Sequence, residues 1–161
     1  MSIATFADWL YATPFSSAIR QTTWIIPDLQ AIHILSIAVV IGSALITELR
    51  LAGVLATDCP VQEVLRRFLP WMRIALVVLL GTGLLLVVAE PGRTLGNALF
   101  WIKMVLVAGA SLVTLQARKG LVRSTGEGGI TDSPESSRLL AWFMILVWVA
   151  VIFCGRFIAY T

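Results

Sequence analysis

Four long apolar runs constrain this chain more than any other feature of its sequence. They lie at 27–51, 71–88, 97–116 and 139–160. Each is close to the roughly 20 mostly apolar residues that a helix needs to cross the hydrocarbon core of a bilayer. The runs are continuous and do not alternate apolar with polar residues, so they favour helices over the strands of a membrane barrel.

The composition supports the same class of protein. Of the 161 residues, 58% are hydrophobic and 13% are charged, whereas a soluble domain contains about 25% charged residues. One histidine and two cysteines are too few for a self-contained zinc site. The net charge of +3 does not indicate a nucleic-acid partner, because membrane topology explains the basic residues better. We therefore predict a single all-α membrane domain over residues 1–161, a polytopic four-helix bundle in a lipid bilayer.

The segment before the first span, residues 1–24, has its own helical pattern. Apolar residues recur at helical spacing from Ile3 to Leu10, and Thr13–Pro14 interrupts the pattern, which resumes near Ser16. We predict a short helix lying at the membrane interface. The segment lacks the basic leader and compact apolar core of a secretory signal peptide, so we expect it to be retained.

The basic residues predict the orientation of the spans. Eight of the twelve lie between spans one and two or between spans three and four, with their flanks: Arg50, Arg66, Arg67, Arg73, Arg118, Lys119, Arg123 and Arg138. By the positive-inside rule these loops are cytoplasmic, including the polar segment 119–138. We predict a multi-pass protein of a bacterial-type inner membrane with both termini on the periplasmic side. Cys59 and Cys154 then lie on opposite sides and cannot form a disulfide.

With this topology, each span contributes one polar residue near the outer leaflet. These residues are His33, Glu90, Lys103 and Arg156. The helical rise places His33 and Lys103 each about 9 Å inward from the outer end of its span. Ionisable residues inside spans are costly and often functional, so the four form a candidate binding site.

A stripe of residues on the first span predicts which way His33 points. The stripe advances by three or four residues through Gln30, His33, Ser36, Val40, Ser43 and Thr47. Polar stripes on membrane helices face the interior of a bundle, so we expect His33 to point inward. On the second span, Gly81–Gly83 encloses Thr82, and such small residues let helices approach closely.

Each candidate residue also has a structural explanation. Lys103 and Arg156 are near enough to an interface to snorkel without a partner. His33 can act as a hydrogen-bonding link between helices, and Glu90 can end a helix in the headgroup zone.

Several segments together carry a family resemblance. They read TPFSSAIR, HILSIAVVIGSALITELRLAG, LPWMRIALVVLLGTGLLL, NALFWIKMVLV and GRFIAY, and they resemble an uncharacterised family of small bacterial four-helix membrane proteins. More distantly the chain resembles CopD-type copper-resistance membrane domains and HemJ-type protoporphyrinogen oxidases. Those relatives share a histidine in an early helix, then a glycine and an Arg-Leu pair, and a lysine in a later helix. The matching residues here are His33, Gly42, Arg50–Leu51 and Lys103.

The resemblance implies haem b as a cofactor, with His33 and Lys103 around it. The chain departs from a bis-histidine arrangement because His33 is its single histidine. As metal ligand, His33 would need a hydrogen-bond acceptor for its other ring nitrogen, for which Gln30 and Glu90 are candidates.

Three functions remain open at the level of sequence. The first is an accessory or structural subunit, with other membrane subunits or a second copy as partner and no catalytic residue. The second is a haem b-binding redox protein, in which His33 is an axial ligand and Lys103 is a second ligand or propionate partner. The third is transport of copper or a small anion. The sequence ranks them in this order and leans away from an enzyme.

Overall fold

The computed structural model consists of helices and their connections throughout the part of the chain that it describes. It describes the backbone of residues 2–123 and 135–157, and the side chains of residues 2–115 and 138–155. Within these ranges the helices are α1 (Ile3–Tyr11), α2 (Pro14–Gln21), α3 (Ile25–Leu51), α4 (Val61–Ala89), α5 (Pro91–Leu95), α6 (Ala98–Arg123) and α7 (Glu135–Phe157).

Four helices are long and apolar enough to cross a membrane. They are α3, α4, the Ala98–Leu115 part of α6 and the Arg138–Gly155 part of α7. α3 packs against α4 and α7, and α6 packs against α7 and α4. The four therefore form a ring in the order α3, α4, α6, α7, with α3 and α6 across from each other. The predicted all-α membrane bundle is confirmed.

The second span begins earlier than its apolar run indicates. α4 starts at Val61 rather than at residue 71 and continues through Pro70. Its added turns are amphipathic, because Val61, Leu65 and Leu69 are buried whereas Arg66 is exposed. The predicted loop 119–138 is also shorter at both ends, since α6 continues to Arg123 and α7 begins at Glu135. Residues 124–134 of that loop lie outside the described residues.

Two clusters of buried apolar side chains hold the ring together. The first cluster comprises Val40, Ala44, Met72, Ala75, Leu76, Ala110, Met144 and Trp148. The second cluster comprises Leu51, Val61, Leu65, Leu69 and Ala141. We call the end of the bundle that is opposite the second cluster the outer end, which is the side predicted to be external.

The two short helices α1 and α2 cap this outer end. Ser2 and Thr13 act as their N-caps, and Pro14 occupies the first turn of α2. The break predicted at Thr13–Pro14 is therefore confirmed. Their position at a membrane interface stays a prediction.

Arg20 and Ser16 connect α1 and α2, which we call the cap, to the end of α4 by hydrogen bonds. The Ser16 hydroxyl donates to the carbonyl of Val88 at 2.7 Å and accepts a hydrogen bond from Arg20. The Arg20 guanidinium also donates to the carbonyls of Ala89 at 3.2 Å and Tyr11 at 2.9 Å. It lies 3.5 Å from the centroid of the Tyr11 ring. The cap is thus joined to α4 through backbone carbonyls at the end of that helix.

Candidate functional site

The outer part of the bundle contains a hydrogen bond between α3 and α4. His33 Nδ1 lies 2.9 Å from Thr82 Oγ1. Thr82 is buried and His33 is half-buried. A Cβ atom added to Gly83 would lie 3.3 Å from His33 Cε1, which is tighter than ordinary van der Waals contact. Glycine at position 83 therefore lets the imidazole lie against the backbone of α4.

The hydrogen bonds of Thr82 favour one tautomer of His33. The Thr82 hydroxyl carries one proton and lies 2.8 Å from the carbonyl of Val78, which is a good acceptor for it. When the hydroxyl donates to that carbonyl, its oxygen accepts a hydrogen bond from His33 Nδ1–H. In a neutral imidazole the lone pair then resides on Nε2. Metal-ligating histidines have this arrangement, with one ring nitrogen held by an acceptor and the other free to bind.

Lys103 approaches the same region from the other half of the ring. A Cβ atom added to Gly155 on α7 would lie 3.4 Å from Lys103 Nζ, so the amine lies along the α7 backbone. The amine is close enough to both His33 and Cys154 to interact with them electrostatically. Lys103 is half-buried and forms no ion pair with an acidic side chain among those that the structure describes. His33, Lys103 and Cys154 thus share one electrostatic neighbourhood, which we call the outer site.

The other predicted site residues lie elsewhere or outside the described side chains. Gln30 is exposed one turn before His33, and Glu90 is exposed between α4 and α5. The partner of His33 Nδ1 is Thr82 and neither of these two residues, because Thr82 is at the level of the ring on the adjacent helix. Arg156 belongs to α7, but its side chain lies outside the described residues, so its part in the site stays a prediction.

The polar stripe on α3 faces the interior over most of its length. Ser36, Val40, Ser43 and Thr47 are buried, as the spacing predicts, whereas Gln30 at its start is exposed. The side chains that the structure describes contain no group of three or more His, Cys, Asp and Glu placed to hold a metal ion. Because the sequence has one histidine, a metal at His33 would have one imidazole ligand from each copy of the chain.

These features define a small multi-pass membrane protein with an imidazole and an ammonium group inside its outer half. The chain belongs to a family of unknown function (DUF6644), whose family model matches residues 9–161. No curated protein and no solved structure matches the sequence. The resemblance to CopD-type and HemJ-type proteins therefore stays a prediction.

Proposed function

We propose that the protein binds a haem-type cofactor in the outer site, with His33 Nε2 as a ligand to the iron. One observation carries this proposal: the bond from His33 Nδ1 to Thr82 fixes the ring and leaves the Nε2 lone pair available. A ligand that accepts an electron pair, such as a haem iron, satisfies that nitrogen.

The position of Lys103 supports haem over the other ligands that the sequence leaves open. Haem carries propionate carboxylates, and an ammonium group without an acidic partner among the described side chains is a suitable counter-ion. Copper(I) prefers thiolate and thioether ligands, of which Cys154 is the one in this neighbourhood. A small anion would use Lys103 but not the imidazole lone pair. Haem uses both groups.

The chain's own residues perform three tasks in this proposal. Thr82 orients the imidazole, Gly83 gives the ring room against α4, and Lys103 binds a carboxylate. A bound haem would supply one-electron chemistry, while the protein sets its position and surroundings.

The same hydrogen bond also favours a second candidate, an accessory or structural subunit. A bond between His33 and Thr82 joins α3 to α4 whether or not a cofactor is present. In that case the polar groups maintain the bundle, and partner subunits carry the chemistry. The two candidates differ in a measurable property, which is haem affinity.

The test is reconstitution of the purified protein with haem in detergent or nanodiscs. We expect a shifted Soret band and saturable binding in the wild type, and loss of that binding in His33→Ala. Ser36→Ala is the matched control, because the Ser36 hydroxyl donates to the carbonyl of Ile32 on its own helix. Folded wild-type protein without a shifted Soret band, or His33→Ala with unchanged affinity, would overturn the haem proposal and leave the structural role.

A further inference from the structure

The first half of α4 presents its arginines on the side that points away from the bundle. Its buried side chains lie on the other side, and they include Val61, Val64, Leu65, Leu69, Met72, Ala75 and Leu76. The exposed residues include Arg66, Arg67, Trp71, Arg73, Ile74 and Val77. With 3.6 residues per turn, these six fall on less than half of the helix circumference. We call the three arginines among them, Arg66, Arg67 and Arg73, the basic face.

The arginines of the basic face have no partner within the part of the chain that the structure describes. They form neither a hydrogen bond nor an ion pair there. Arg50 differs, because its guanidinium donates to the carbonyl of Cys59 at 2.9 and 2.6 Å. Glu63 lies on the same exposed side in the first turn of α4, where its charge complements the helix N-terminus. The basic face therefore presents guanidinium groups that are free to bind an external anion.

Arg73 lies where a free charge is costly. It is the third residue of the apolar run 71–88, and its side chain is exposed on the outside of the ring. Arginine stays ionised in proteins, and charged side chains within a span are normally paired. α4 begins at the inner end of the bundle, beside the second cluster. Because side chains on a helix lean towards its N-terminus, Arg73 leans towards the lipid headgroups at that end.

The neighbours of the basic face match the layers of a bilayer. Trp71 is 63% exposed, and its amphipathic ring is typical of the boundary between headgroups and hydrocarbon. Ile74 and Val77, which are 60% and 70% exposed, continue the same side of α4 into the hydrocarbon. A phospholipid can therefore contact the basic face with its headgroup and these apolar residues with an acyl chain.

We propose that the basic face binds an anionic phospholipid, with the lipid phosphate on the guanidinium groups. Guanidinium binds phosphate oxygens in a bidentate manner, and basic residues beside a span attract anionic headgroups. A second copy of the chain fits this surface less well, because a two-fold contact would bring two sets of three arginines together. The inference goes beyond the proposed haem site and does not depend on it, since the basic face lies at the inner end of the bundle.

The test uses Trp71 as a reporter in full-length protein in phosphatidylcholine nanodiscs. A minority of the lipid is replaced by phosphatidylglycerol or phosphatidylcholine with brominated acyl chains, which quench tryptophan fluorescence on contact. The difference between the wild type and Trp71→Phe isolates the Trp71 signal. We expect Trp71 to be quenched at a lower mole fraction of brominated phosphatidylglycerol than of brominated phosphatidylcholine. Arg73→Gln should reduce the relative affinity for phosphatidylglycerol by about fivefold.

Arg93→Gln is the matched control, because it removes the same charge at an exposed position in α5. It should leave the quenching of Trp71 unchanged. Equal quenching by the two brominated lipids in the wild type would overturn the proposal, as would equal quenching by phosphatidylglycerol in Arg73→Gln and Arg93→Gln. Loss of the lipid preference on addition of glycerol 3-phosphate would assign the basic face to a soluble phosphate instead. Weak quenching by both lipids, with dimers that Arg73→Gln dissociates, would assign it to a second copy.

Discussion

The substitution Thr82→Val separates a structural histidine from a ligand-binding one. Valine keeps the size of the side chain and removes the oxygen that accepts the hydrogen bond from His33. A neutral hydrogen bond contributes about 0.5–1.5 kcal/mol to stability, and interhelical polar bonds in a membrane average about 0.6 kcal/mol. Because His33 is half-buried and can be hydrated instead, we expect the free energy of unfolding to fall by about 0.5–1 kcal/mol.

The expected effect on haem affinity is larger than the effect on stability. Residues that orient a metal-ligating histidine typically change metal affinity by about 10–100-fold when they are substituted. That range corresponds to roughly 1.4–2.8 kcal/mol, since each 1.4 kcal/mol is a factor of ten. If Thr82→Val lowers the free energy of haem binding clearly more than the free energy of unfolding, Thr82 positions a ligand. A purely structural bond would produce the stability loss alone.

Two measurements on the same preparations decide between these outcomes. Unfolding in mixed micelles gives the stability change, and a Soret titration gives the haem dissociation constant. Thr47→Val controls for the loss of a buried threonine hydroxyl that bonds within its own helix. Thr82→Ser retains the hydroxyl and should keep most of the affinity. If Thr82→Val binds haem as tightly as Thr47→Val does, the assignment of Nε2 as an oriented ligand is refuted.

Three further predictions test other parts of the structure. Gly83→Val should weaken haem binding more than Thr82→Val does, because even a Cβ at position 83 would lie 3.3 Å from the imidazole. Gly81→Val is the control and should leave haem binding unchanged, because a Cβ at position 81 would meet nothing within 4 Å. Arg20→Ala should release the cap and speed amide exchange in α1 by roughly tenfold or more, as expected from losing charge-assisted hydrogen bonds; unchanged exchange by mass spectrometry would contradict this role. With Cys154 replaced by serine, the predicted orientation requires Cys59 to react with an impermeant maleimide only after permeabilisation. With both native cysteines replaced, Ser2→Cys should react in intact cells. The opposite labelling would reverse the topology.

The fold could be predicted from sequence because a bilayer imposes a simple requirement on length and polarity. Each apolar run corresponds to a helix in the structure. The start of α4 could not be predicted in this way, because Arg66, Arg67 and Pro70 end the apolar run without ending the helix. Leu65 and Leu69 are buried within the second cluster, which stabilises the added turns of α4. This burial depends on how the helices pack.

The site could be predicted only in part, for a related reason. Helical spacing predicts the inward face of α3, which depends on a single helix. The partner of His33 depends instead on the register between α3 and α4, which sequence spacing does not fix. Thr82 had one detectable signal, since it is a hydroxyl residue between two glycines in an otherwise apolar run.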